Sequence, residues 1–274
     1  MDDSVRPVRG TVLVFDSGLG GLTVLREIAR ARPDLDLTFV ADDAAFPYGR
    51  LSDDELVARV VAVMDRYIEA LQPGLVVIAC NTASTLALPA LRTRFPTPFV
   101  GTVPAIKPSC AQSKSKRVSV LATAATVRRD YTRELIREFA GDCRVTLAGS
   151  AQLASLAEAV LRGESARDDA IRAEIAPCFV DDGARTDTIV LACTHYPLIL
   201  DRLARLAPWP VTWLDPAPAI ARRASQLLGP KAAAGGAPAQ AYFTTGKPVS
   251  GELARSLAAF GVTAADEAGL RLPV

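Results

Sequence analysis

Residues 189–197 read IVLACTHYP, and residues 76–84 read VVIACNTAS. Each is an apolar, β-branched run that stops at Ala-Cys and passes into small polar residues. A short continuous apolar run bounded in this way suits a strand buried on both faces of a parallel sheet. The frame recurs 113 residues apart, from Cys80 to Cys193. A second pair stands beside it: VFDSGLGGLTV after the first apolar run and VLATAATV (120–127), with Ser17 and Thr123 offset by 106 residues. Two similar halves of about a hundred residues fit the ordinary size of a domain. GTVPAIKPS (101–109) is the natural crossing between them. The expected division is a first domain of residues 1–100 rejoined by 210–274, and a second of residues 101–209.

Outward from these runs, strands and helices alternate. TVLVF (11–15) and LTFV (37–40) read as strands, with a helix over 21–31 that places Leu22, Leu25, Ile28 and Ala29 on one face. Ser52 followed by Glu55 is a capping-box signature, opening a helix that carries Leu56, Val60, Val63 and Ile68. LVVIA (75–79), RVSVL (117–121), CRVTL (143–147), TIVLA (188–192), VTWL (211–214) and AYFTT (241–245) are further strands. Helices are expected over 127–140, 151–162, 166–180, 218–228 and 249–260. The alternation predicts an α/β fold of two pseudo-symmetric domains, each a parallel sheet flanked by helices, with an active site in the cleft between them. AAAGGAPAQ (232–240) reads as a surface loop.

Composition narrows the function. Half the residues are hydrophobic, 22% are charged, and 31 basic residues face 30 acidic ones. SKSKR (113–117) is the densest basic run and reads as a solvated loop, so no nucleic-acid partner and no membrane surface is expected. No apolar stretch has the length of a membrane span, and the polar start MDDSVRPVRG lacks the layout of a signal peptide. Five widely spaced cysteines form no CxxC, which argues against a disulfide framework or a zinc ribbon. The single histidine leaves little imidazole for a metal site, and none is expected. A reducing cytoplasm is the natural compartment.

In open parallel sheets, ligands bind at the C-terminal ends of strands. Four such ends carry small polar residues: Asp16-Ser17, Cys80-Asn81-Thr82, Thr123 with Thr126, and Cys193-Thr194-His195. Their hydroxyls and amides, with helix N-terminal N–H groups, suit a carboxylate or similar anion. A cysteine after an apolar strand is ordinarily a small buried hydrophobe, and Cys110, Cys143 and Cys178 are read that way. The duplication sets Cys80 and Cys193 apart. GLGG (18–21) lacks the spacing of a dinucleotide fingerprint and reads as a tight turn into a helix. Taken alone, FPYG (46–49) is an ordinary turn. His195, two residues beyond a cysteine, is placed to tune that thiol.

Together these stretches resemble the cofactor-independent glutamate racemases of the aspartate/glutamate racemase superfamily. The resemblance rests on FDSGLGGLTVL, FPYG, ACNTAS, GTVPAIKP, LATAATV with RDYTRELI, and ACTHYPL, and spans most of residues 11–200. It implies interconversion of L- and D-glutamate without a cofactor, supplying D-glutamate for peptidoglycan, by a cytoplasmic homodimer. Two cysteines would flank the substrate Cα: Cys80 takes the proton from D-glutamate and Cys193 from L-glutamate. Asp16 would assist Cys80, and His195 with Glu158 would assist Cys193. Asp16, Ser17, Tyr48, Gly49, Asn81, Thr82, Thr123, Thr126, Thr194 and His195 match the family's substrate contacts. Pro216 and Pro218 in DPAPAIARR (215–223) depart from the family pattern and leave that loop without an assigned role. The alternatives are a racemase of aspartate or a related acid, a non-catalytic binder of small acids, and a thiol–disulfide oxidoreductase, the last disfavoured by the missing CxxC.

Overall fold

The computed structural model of the chain describes residues 10–231, 235–249 and 251–266. Its strands are β1 (Thr11–Asp16), β2 (Asp36–Ala41), β3 (Leu75–Ile78), β4 (Phe99–Gly101), β5 (Arg117–Thr123), β6 (Arg144–Ser150), β7 (Thr188–Ala192), β8 (Thr212–Leu214), β9 (Ala239–Phe243) and β10 (Val262–Ala264). They form two parallel sheets, ordered β10-β9-β2-β1-β3-β4 and β6-β5-β7-β8. The order 2-1-3-4 inside the first sheet recurs as 6-5-7-8 in the second. β1 therefore corresponds to β5 and β3 to β7, the pairing that the repeated sequence frames anticipate. The segment between β4 and β5 carries the chain from one sheet to the other.

Both faces of each sheet are covered, which is why the strands are continuously apolar. In β1, Val12 and Val14 pack beneath α1 (Leu22–Ala31), while Leu13 and Phe15 pack on the opposite face. That opposite face is covered by α2 (Asp53–Leu71) and α3 (Asn81–Arg94). In the second half, α4 (Ile106–Gln112), α5 (Ala124–Arg128) and α6 (Asp130–Phe139) precede α7 (Leu153–Leu161), α8 (Asp168–Ile175) and α9 (Leu200–Leu206). Val118, Val120 and Val190 face α4 and α6, and Leu121, Ile189 and Leu191 face the side of α7, α8 and α9. α10 (Ala217–Leu228) returns to pack with α1, and α11 (Gly251–Ala259) precedes β10, the last described element.

One local expectation meets its structure directly. Ser52 caps α2, and its hydroxyl and amide exchange hydrogen bonds with Glu55 as a capping box. The helix expected over 127–140 differs. It starts earlier, because the Thr123 hydroxyl caps α5, and it breaks at Arg129, whose extended backbone separates α5 from α6. Only a 3-10 turn continues α8 to Cys178. β8 hydrogen-bonds β7, so residues 212–214, grouped with the first half by a boundary at 209/210, belong to the second sheet. MDDSVRPVRG, apart from Gly10, and residues 232–234 of the expected surface loop lie outside the described residues. Among the described residues, no helix is long and apolar enough to cross a membrane.

The SKSKR loop is anchored rather than merely solvated. Asp187, just before β7, accepts hydrogen bonds from the Ser113 hydroxyl (2.7 Å), the Lys114 and Ser115 amides (2.8 and 2.7 Å) and the Thr188 hydroxyl (3.0 Å). Burial opposes its charge, but these donors hold the carboxyl below its usual range. The interaction ties the entry of β5 to the entry of β7. Asp187→Ala is expected to destabilise the fold by about 2 kcal/mol, because it orphans several donors at once. A denaturant midpoint equal to that of the parent protein would contradict this.

Candidate active site

All these strands are parallel, but in the order 2-1-3-4 the direction in which successive strands are added reverses between β1 and β3, and in 6-5-7-8 between β5 and β7. Ligands of open α/β sheets bind at such switch points, beyond the strand C-termini. Here the two switch points share one crevice. β1 delivers Asp16 and Ser17; β3 delivers Cys80, which is the N-cap of α3; β5 ends on Thr123; β7 delivers Cys193, Thr194 and His195. Ser17, Tyr48, Gly49, Cys80, Asn81, Thr82, Thr123, Cys193, Thr194 and His195 line the crevice. Asp16, Thr126 and Glu158 stand behind that lining, bonded to its members. Phe46 and Pro47 of the FPYG stretch also line it, though only Tyr48 and Gly49 of that stretch were expected to, and so does Ala154, which the sequence offered no reason to single out.

On the Cys193 side the groups form a chain. The Cys193 sulfur lies 3.9 Å from His195 Nδ1, and His195 Nε2 lies 2.9 Å from Glu158 Oε2. A carboxylate accepts only, so Glu158 places the ring proton on Nε2 and leaves Nδ1 of the neutral ring free to take the thiol proton. Burial disfavours a charged imidazole. The contacts with Cys193 and Glu158 outweigh it and carry the His195 pKa well above its ordinary value. Burial likewise opposes the Glu158 charge, yet His195, the Leu19 amide (2.9 Å) and Arg162 (2.8 and 3.0 Å) hold its carboxyl below the usual range.

The Cys80 side is built differently. The Ser17 hydroxyl lies 3.6 Å from its sulfur. Burial, and then the Asp16 carboxylate, push the Cys80 thiol far up, so it stays protonated. Asp16 is itself fully buried. Its Oδ2 accepts from the Gly21 amide (2.7 Å) and the Thr194 hydroxyl (3.1 Å), while Oδ1 has no hydrogen-bond partner. Burial raises the Asp16 pKa against the opposing pull of His195 and these donors. GLGG does more than turn the chain. A Cβ on Gly20 would collide with the Thr194 hydroxyl and the His195 ring, so this loop can approach β7 only without a side chain there.

The remaining polar groups are arranged as donors. Thr82, Thr123 and Thr126 hydroxyls form a triangle with 3.0–3.3 Å edges, joining α3 to the end of β5. The Asn81 side-chain amide nitrogen is buried without a partner. Tyr48 lines the crevice, but its hydroxyl donates to Asp42 (2.6 Å), which also accepts from Arg59 and from Thr244. That buried carboxylate fixes the FPYG loop, whose Phe46 ring sits 5.2 Å from the His195 ring. The crevice has a cavity volume of about 20 Å3, little more than one water molecule occupies.

Residues 15–224 match the model of the Asp/Glu/hydantoin racemase family. The chain is 56% identical to a glutamate racemase of Brucella anthropi over 233 residues, covering 84% of this chain and 82% of the relative. A glutamate racemase of Sinorhizobium medicae is 55% identical over 243 residues, covering 86% and 89%. Among solved structures, the Escherichia coli glutamate racemase in complex with L-glutamate and the activator UDP-MurNAc-Ala superposes with a TM-score of 0.84 at 42% identity, covering 93% of this chain and 97% of that one.

Asp16 yields a signed test. A buried acid with a raised pKa binds more protons folded than unfolded, so stability falls as pH rises from the ordinary carboxyl value through the folded one. Asp16→Asn removes that penalty. The variant is expected to unfold at a higher temperature than the parent at neutral pH, by on the order of 1 kcal/mol for an unpartnered buried oxygen. The gain should shrink as acid protonates Asp16 in the parent. A pH-independent loss of stability would refute the assignment.

Proposed function

The chain belongs to the Asp/Glu/hydantoin racemase family, and from that premise we propose that it interconverts L- and D-glutamate by a two-thiol acid/base mechanism. The observation that carries this reading is the delivery of Cys80 and Cys193 by corresponding strands of two similar sheets into one crevice. Glutamate is the substrate acted on by the relatives above 50% identity, and it occupies the complex of the Escherichia coli structure.

In the L-to-D direction, His195 Nδ1 draws the proton from Cys193, with Glu158 steadying the imidazolium that results. The Cys193 thiolate removes the Cα proton of L-glutamate. The Cys80 thiol, kept protonated by burial and by Asp16, delivers its own proton to the opposite face. Cys80 is then the thiolate and Cys193 the thiol, which is the pair required for the reverse reaction. Asn81 and the three threonines supply neutral donors for the substrate's carboxylates, and Ser17, Thr194 and the FPYG loop with Tyr48 and Gly49 complete the enclosure. The two sheets act as two lobes, residues 1–100 with the C-terminal segment and residues 101 to about 214. The same reading makes the enzyme a cytoplasmic homodimer that supplies D-glutamate for peptidoglycan.

Incubation with L-glutamate in D₂O, with no added cofactor, is expected to give racemisation with deuterium entering at Cα. Binding without exchange would leave only a small-acid binder, and exchange with aspartate alone would move the substrate within the family. Cys80→Ala and Cys193→Ala should each abolish racemisation; normal turnover in both would exclude the two-thiol route. The enantiomers have equal free energy, so kcat/KM is equal in both directions for any variant, and side assignments must be read from isotope effects. His195→Asn is expected to enlarge the Cα-deuterium effect with L-glutamate and to diminish it with D-glutamate, because proton removal by Cys193 becomes limiting. Equal changes for both enantiomers would separate His195 from Cys193.

A further inference from the structure

Cys110 and Cys143 lie outside the crevice and are 33 positions apart in sequence. The fold brings them together. α4 ends at Gln112, and the Lys114 amide that would extend its ladder onto the Cys110 carbonyl turns to Asp187 instead. The Cys143 thiol donates to that carbonyl oxygen, at 3.5 Å. Cys143 also packs against the apolar cluster that holds Cys110. Of the five free thiols, Cys80, Cys110, Cys178 and Cys193 are buried and only Cys143 is partly open to solvent.

We propose that Cys110 and Cys143 are a redox modification site, where a peroxide closes a disulfide before it reaches the crevice thiols. Access selects the first step. The Cys143 sulfur, its proton lost, attacks one peroxide oxygen; the O–O bond breaks, and the leaving hydroxide takes up a proton as water. Cys143 is then a sulfenic acid. The Cys110 thiol gives up its proton, its sulfur attacks that of Cys143, and the S–O bond breaks to release a second water. Two thiols and one hydrogen peroxide become one disulfide and two waters, with the two sulfurs oxidised by two electrons in total and the peroxide reduced by two.

The environments fit these separate roles. Burial, and then the contact with Cys143, push the Cys110 thiol up to about 11, so it waits as the resolving partner. The Lys116 ammonium opposes that shift and favours the Cys110 thiolate at the second step. The link would join the end of α4 to the turn between α6 and β6, around a loop that contains β5. Cys143 precedes the N-terminal end of β6, whereas the crevice lies at the C-terminal ends of the strands. Closing the bond therefore leaves the crevice untouched.

The test treats the full chain with a few equivalents of hydrogen peroxide, alkylates the remaining thiols and maps the peptides. A Cys110–Cys143 link lighter by two hydrogens is expected, with Cys80 and Cys193 alkylated and activity retained. The oxidised protein should melt at a higher temperature, and a thiol reductant should reverse that shift. Cys143→Ser, at a partly exposed position, should abolish both the link and the shift. In Cys110→Ser, Cys143 should persist as a sulfenic acid that a cyclic 1,3-diketone traps. The proposal is overturned if Cys80 or Cys193 oxidises while Cys110 and Cys143 remain alkylated. Overoxidation of Cys143 beside a free Cys110 in the parent protein would overturn it equally. None of these readouts depends on which amino acid the crevice accepts.

Discussion

A tetrahedral carbon is inverted only if a proton leaves one face and another arrives on the opposite face. A single acid/base group cannot stand on both sides, so two of comparable strength must converge on one point from opposite directions. Duplicated sheets meet that constraint. The strand order 2-1-3-4 recurs as 6-5-7-8, each order has one switch point, and each switch point delivers one thiol. Thiols suit the task because their ordinary pKa, about 8.5, lies close enough to neutrality for the same group to serve as acid and as base.

Chemical equivalence stops at the sulfur atoms. Cys193 faces an imidazole that is held in one tautomer by a carboxylate, so its proton has a defined destination. Cys80 faces a serine hydroxyl, with a buried carboxylate nearby that raises its pKa. The result is a pair in which one thiol has a base beside it and the other is held protonated. An enclosed site needs this difference: two thiolates would repel each other there, and two inert thiols would abstract nothing. Asp16 contributes from the middle, because its Oδ2 bonds the Thr194 hydroxyl while its charge acts on Cys80.

The skeleton was legible because buried parallel strands write themselves as uninterrupted apolar runs, and TIVLA and TVLVF fall within a residue of β7 and β1. The repeated Ala-Cys frame then located both thiols. α3 was not read, because NTASTLALPALRTR has a weak apolar stripe and an internal proline; its start is fixed by the sheet end rather than by periodicity. The break at Arg129 was hidden for a similar reason, since Thr123 and Thr126 gave no hint that a cap would shift the helix start. Glu158 came from family resemblance alone. It sits in α7, 37 positions before His195, and nothing local in SLAEAVL distinguishes it from a surface glutamate. The proximity of Cys110 to Cys143 depends on how α4 packs against the turn before β6, which no pattern along the chain encodes.

The relay on Cys193 also depends on the lobes being together. Glu158 Oε2 accepts from His195 and from the Leu19 amide, and Leu19 belongs to the loop after β1 in the other sheet. Thr194 reaches Asp16 across the same boundary, Thr82 reaches Thr123, and Arg129 pairs with Asp53 at the rim. A crevice of about 20 Å3 is smaller than an amino acid, and on the proposed function the lobes part for glutamate to enter, which severs these bonds. Glu158 then loses a donor that favours its charge, and His195 loses part of what fixes its tautomer. Closure around the substrate restores both while it expels water. On the proposed mechanism, the thiol is thus activated only when the carbanion that it generates is sheltered from solvent protons, which would otherwise quench the carbanion without regard to face.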